Sequence, residues 1–134
     1  MNQSELKAKE YLQRIKALDE AAKAAEAQKE TLEADITRIT ARYSQAPGGG
    51  RVDPAERIVR LINLGASCRQ RIDEYVAHKT RCIELINRTH YARLLTALYI
   101  EYKSMSVVAE ELFCSRSKFI RLHSRALKEF AKFL

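Results

Sequence analysis

Tyr11 to Tyr43, YLQRIKALDEAAKAAEAQKETLEADITRITARY, carries the pattern that decides the fold. Tyr11, Ile15, Leu18, Ala22, Ala25, Lys29, Leu32, Ile36, Ile39 and Tyr43 follow one another at spacings of 4-3-4-3-4-3-4-3-4, an unbroken heptad seam with one charged slot at Lys29. Between the seam positions lie Glu, Lys, Gln, Arg and Ala, which form helices well and bury little. A helix with one narrow apolar stripe must pack that stripe against another helix.

The partner follows at once. Gln45-Ala46-Pro47-Gly48-Gly49-Gly50 ends the first helix and lets the chain reverse. Asp53-Pro54-Ala55-Glu56 then reads as a helix start, with Asp53 as N-cap, Pro54 as first helical residue and Glu56 as the reciprocal partner of a capping box. Ile58, Leu61, Gly65, Cys68, Ile72, Tyr75, Lys79, Cys82 and Ile86 form a second seam at 3-4-3-4-3-4-3-4, widened by Ile62, Val76 and Ile83. Two helices of similar length joined by a short loop predict an antiparallel coiled-coil hairpin over residues 1–88. Its single seam is thin, so this region is also expected to associate with a second copy, a dimer being the favoured homo-oligomer.

After Ile86 the period changes. Asn87-Arg88-Thr89 offers a break and a new cap, and Tyr91, Leu94, Leu95, Leu98, Tyr99 and Tyr102 follow the spacing of a short globular helix. Ser104 is placed to cap a second helix with Val108, Ala109 and Leu112 facing inward. Ser115 is placed to cap a third with Phe119, Leu122, Ala126, Leu127 and Phe130 inward. Residues 89–134 thus read as a three-helix helix-turn-helix module with its tight turn at Phe113-Cys114. The whole chain is expected to be all-α, a long antiparallel coiled-coil hairpin followed by that module.

Composition and charge agree with this reading and narrow the function. The chain has 134 residues, 46% apolar and 31% charged, with only 4 Gly and 2 Pro, a scarcity of breakers that favours long helices. No window of about 18 uninterrupted apolar residues occurs, so no membrane span is expected. Met1 to Glu5 shows no basic and apolar leader pattern, so a cytoplasmic location is expected. The net charge is +7, and the last twenty residues hold six cations against Glu129 alone, which points to a polyanionic partner at that end. The outward residues of the last helix, Ser115, Arg116, Ser117, Lys118, Arg121, Ser124, Arg125 and Lys128, are types that reach guanine edges and phosphates, and double-stranded DNA is the expected partner.

The segments Leu94 to Ser104, Val108 to Leu112 and Ser115 to Lys128 together resemble the helix-turn-helix of sigma-factor region 4. The layout, a long helical hairpin before that module, is similar to the ArpU and RinA kind of small phage late-gene transcription regulator. The specific motif covers about residues 92–130. Tyr102 and Phe113 stand where such modules often carry Gly, and Met105 where an aromatic is common. The resemblance implies a sequence-specific transcription regulator of phage or prophage type, in contact with the host RNA polymerase.

Catalysis is not expected. His78, His90 and His123 are scattered and read as surface or cap residues, and there is no P-loop, no G-x-G-x-x-G and no H-E-x-x-H. Cys68, Cys82 and Cys114 lack zinc spacing, and the first two lie two heptads apart on one stripe, as small core fillers. No metal or cofactor is expected. Two other classes fit the same pattern: a non-catalytic coiled-coil adaptor whose basic last helix binds a protein, and a DNA-packaging recognition subunit.

Overall fold

The computed structural model describes residues 2–45 and 54–134, with the side chains of residues 2–38 and 55–134. Within them every regular element is helical: α1 (Gln3–Gln45), α2 (Pro54–Asn87), α3 (Ala92–Leu95) running into a π-helical turn (Thr96–Ile100), α4 (Met105–Glu111) and α5 (Arg116–Lys132). The expected reversal at Pro47 to Gly50, the Asp53 cap and the seam side chains of Ile39 and Tyr43 lie outside the described residues. Pro54 opens α2 and Glu56 sits in its first turn, as the start signal requires.

Packing divides the chain into two compact units, Leu18–Glu74 and Met1–Ala17 with Tyr75–Leu134. The sequence places its boundary at 88/89, where the period changes. That change marks the end of a helix, whereas the core takes up the last turns of α2 and the first turns of α1.

In the unit Leu18–Glu74 the seam residues Ala22, Ala25 and Cys68 are buried, and Leu18, Lys29, Leu32, Leu61 and Gly65 are half-buried. Gly65 is where α2 comes close to its neighbour: a Cβ built there would stand 3.9 Å from Lys29 Cε. Ile58 and Ile72, expected in the seam, are instead 48% and 39% exposed. Leu64 is half-buried, so the packed face of α2 is rotated toward Leu64 and away from Ile58 and Ile72.

In the other unit one cluster joins all the elements present. It holds Ala8, Leu12 and Ile15 from α1, Cys82, Leu85 and Ile86 from α2, Leu94, Leu95, Ala97 and Tyr99 from α3 and the π turn, Val108 from α4, and Phe119, Ala126, Leu127 and Phe130 from α5. Ala8 and Leu12 were not among the expected seam residues, yet both are fully buried. Near its start α1 meets several elements at once, and a wider stripe than a/d is then covered.

Residues 91–102, expected as one regular helix, form a single α turn that widens into the π turn, with the Glu101 N–H donating to Thr96 O at 2.9 Å. Thr89 does not cap α3. Its hydroxyl donates to Ile86 O (2.7 Å) and accepts from the Tyr91 N–H (3.3 Å). Ser104 and Ser115 cap α4 and α5 as expected, accepting from the Val107 and Lys118 N–H groups.

Tyr102 and Phe113 adopt left-handed backbone conformations, φ 56° and 54°. Around Phe113 the Cys114 N–H reaches Ala109 O (2.9 Å) and the Phe113 N–H reaches Glu110 O (3.1 Å), the paired bonds of a Schellman stop. Glycine takes that conformation freely, whereas a residue with a Cβ is strained there by roughly 1 kcal/mol. Phe113 is 96% exposed, so its ring recovers nothing by burial. Phe113→Gly is therefore expected to raise the melting temperature by about 3 °C, read by circular dichroism. A fall would show that the ring is held by contacts in solution.

Candidate nucleic-acid interface

The geometry of α5 sorts its side chains into two opposed sectors. At about 100° per residue, Phe119, His123, Ala126, Leu127 and Phe130 share one sector, and all five are buried. Lys118, Arg121, Arg125, Lys128 and Lys132 fall within roughly 80° of one another on the opposite side, and all five are exposed. The amphipathic period therefore forces the cations outward wherever the apolar face is buried.

Of the expected site residues, Lys118, Arg121, Arg125 and Lys128 are brought together, and Lys132 extends their face by one turn. The helical period already in the sequence is enough to find Lys132. Ser115 and Ser117 are exposed at the start of α5, where Ser115 Oγ accepts from the Lys118 N–H (3.2 Å) and Ser117 O accepts from Arg121 Nε (3.4 Å). Arg116 lies apart from the basic face. It lines a cavity of about 530 Å³ between α4 and α5 with Met105, Ala109, Glu110, Phe119 and Ile120. Ser124 is also diverted, because its hydroxyl donates to the Glu5 carboxylate on α1.

Glu5 is a residue the sequence reading passed over. It is 5% exposed, bonded to Ser124 and 3.4 Å from Lys128 Nζ, and its own N–H donates to Asn2 Oδ1. The Ser124 hydroxyl, together with the Lys128 ammonium, holds its carboxyl below the ordinary carboxylate range against the opposing effect of burial. Lys128 thus both belongs to the basic face and ties α5 to the start of α1. At the far end, Glu129 accepts from His90 through the backbone N–H (3.0 Å) and Nδ1 (2.7 Å). Burial raises the Glu129 carboxyl, but these His90 contacts outweigh it and leave the group below its usual range. His90 and Tyr91 so come to line a shallow cavity of about 470 Å³ with Arg125, Lys128 and Lys132.

Two histidines depart from the expected surface or cap positions, His78 being half-buried with its ring 4.6 Å from that of Tyr11. His123 is buried, with its Nε2 2.7 Å from the Tyr99 hydroxyl. Its place on the apolar sector of α5 explains this. Burial pushes the Tyr99 phenol up to about 12, so the group that meets the imidazole is the neutral hydroxyl. Burial, with Lys9 nearby, also lowers the basicity of His123. Its neutral form is thus the folded one, and this contribution to stability is lost as pH falls below the ordinary imidazole range.

His78 and Cys82, four residues apart on α2, come within 3.6 Å, which raises the question of a thiol–imidazole pair. His78 Nε2 is 2.8 Å from Tyr11 O, and a carbonyl can only accept, so that nitrogen carries the proton. Burial pushes the Cys82 thiol up to about 12. A protonated nitrogen cannot take the proton of a thiol held that high, and the arrangement suits packing rather than nucleophilic chemistry. Among the described residues no three His, Cys, Asp or Glu side chains gather where they could hold a metal ion. No described helix is long and apolar enough to cross a membrane. No family model matches the sequence, and no curated protein or solved structure is significantly similar to it.

The Glu5 contact has a pH signature. Because its folded-state pKa is depressed, the stabilisation is present above the ordinary carboxylate pKa and disappears as pH falls through the lowered value. Glu5→Gln is expected to lower the melting temperature at pH 7, with the difference from the unsubstituted chain narrowing as pH falls below the ordinary carboxylate range. A gap that stays constant across that range would show that the carboxylate charge does not matter.

Proposed function

We propose that this protein is a sequence-specific, duplex-DNA-binding transcription regulator of phage type, with no catalytic activity of its own. In this reading α4, the turn at Phe113-Cys114 and α5 form a helix-turn-helix, and α5 is the recognition helix. The preceding long helices form a coiled-coil hairpin that makes the protein a homo-oligomer. The observation that supports it most is the face of Lys118, Arg121, Arg125, Lys128 and Lys132, exposed along α5 opposite its buried residues. Cations exposed along one helical face suit contact with phosphates, and Ser115 and Ser117 at the helix start supply short polar contacts. The resemblance of residues 92–130 to sigma-factor region 4 supports the same assignment and brings the host RNA polymerase in as a second partner.

Roles along α5 follow from reach. Ser115, Ser117 and Arg121 stand in the first two turns, where a recognition helix meets base edges. Arg125, Lys128 and Lys132 follow where a straight helix leaves the groove and meets phosphates. Arg121→Ala is expected to cost about 1–3 kcal/mol on a site selected from random duplexes and to relax the preference at one base pair. Lys132→Ala, which leaves the Glu5–Lys128 contact intact, is expected to weaken selected and random duplexes by the same factor. Fluorescence anisotropy with both duplexes separates the cases. Equal effects of the two substitutions on both duplexes would mean that α5 does not read bases, and no effect of either would assign the basic face to a protein partner.

A further inference from the structure

We infer that α2 carries a second, intermolecular seam, and that its occupant is α2 of another copy of this chain lying antiparallel. The inference rests on the self-association proposed above and supplies the surface for it.

Exposed large apolar side chains are unevenly distributed over the two long helices. Among the described residues α1 exposes one, Leu6, whereas Ile58, Val59, Ile62 and Ile72 on α2 are 48%, 54%, 65% and 39% exposed. In the unit Leu18–Glu74 the packed side of α2 is marked by Leu61, Leu64 and Cys68, and Ile58, Ile62 and Ile72 stand on another side of the same helix. Positions 58, 62, 65, 69 and 72 repeat at 4-3-4-3, and the same spacing continues in sequence through Val76, Lys79 and Ile83. Positions 58, 62, 69, 72, 76 and 83 of this series are exposed, and a largely apolar stripe with that period matches the surface of a second helix.

The order of residues within the stripe selects the partner. Counted outward from Ser67, Gly65 corresponds to Arg69, Ile62 to Ile72, and Ile58 to Val76. An antiparallel copy therefore sets large apolar residues against large apolar residues and places Arg69 over Gly65, the position that has no side chain. Such self-complementarity is what a two-fold interface requires, since each contact occurs twice. Gly65, one turn from Arg69 on the stripe, puts a residue without a side chain next to the two-fold axis, where the helices come closest. Lys29, the charge nearest Gly65, is paired with Glu33 at 3.9 Å, so the arriving Arg69 meets a neutral pair.

Sedimentation of the full chain tests this. The unsubstituted protein is expected at twice 15.4 kDa and Ile62→Glu/Ile72→Glu at 15.4 kDa, with the helical signal and melting curve still those of a folded chain. Should the charged variant fail to fold, Ile62→Ser/Ile72→Ser is expected to weaken association at least tenfold. Gln70→Glu, an exposed position off the stripe, is expected to leave the dimer intact. Oxidation of Ile62→Cys/Ile72→Cys is expected to join residue 62 of one copy to residue 72 of the other, as mapped by mass spectrometry. A bond between two residues 62 would overturn the antiparallel arrangement. A dimer that survives both double substitutions overturns this surface while leaving self-association standing, and a monomeric unsubstituted chain overturns self-association itself.

Discussion

Burial of Phe119, Ala126, Leu127 and Phe130 decides which side of α5 meets solvent. These side chains are at most 2% exposed, and a Phe-to-Ala change at such a site typically costs about 3–5 kcal/mol. The surface that covers them comes from far away in sequence: Leu12 and Ile15 near the start of α1, and Leu85 and Ile86 at the end of α2, belong to the same cluster. Tyr11 and Phe130 rings lie 6.0 Å apart, and the Glu5 carboxylate joins Ser124 and Lys128. Once that face is covered, the helical period leaves Lys118, Arg121, Arg125, Lys128 and Lys132 no place but the surface. The basic face is thus a consequence of the core, and residues 89–134 do not make that core by themselves.

Much of this was legible in the sequence, because its signals are local. Helix starts followed from Pro54, Ser104 and Ser115, and the inward residues of α5 from a 3.6-residue period that one helix imposes on its own chain. The stop between α4 and α5 was legible at Phe113-Cys114, although the residue there is one for which a left-handed backbone is unfavourable. What escaped notice depends on contacts between distant segments. Glu5 read as one more charged residue near the start of α1, and nothing in its neighbours reveals that Ser124 and Lys128 will meet it. His123 read as a surface residue because a lone histidine gives no sign of the Tyr99 hydroxyl that makes its burial tolerable. The π turn at Thr96–Ile100 has the same apolar spacing as an ordinary helix over so short a span. Ile58 and Ile72 fit a heptad equally well on either of two adjacent faces of α2, and spacing alone does not choose between them.

The division of labour among the acidic side chains bears on how the basic face would work. Glu5 and Glu129 both sit beside cations of α5, and both are engaged, one by Ser124 and Lys128 and the other by His90. Glu129 stands one turn after Arg125 on α5, whereas Lys118 and Arg121 have no acidic residue one turn away on that helix. Attraction to a polyanion would then be concentrated on the first two turns of the helix, the part that a recognition helix presents to base edges.

The reading of α5 as a duplex-binding helix is tested most directly by titrating the full chain with duplex DNA over a series of salt concentrations. Neutralising about four phosphates predicts that the logarithm of the binding constant falls with the logarithm of salt at a slope of roughly −3 to −4. Duplex binding that is absent at low salt, or whose slope is close to zero, would contradict the account.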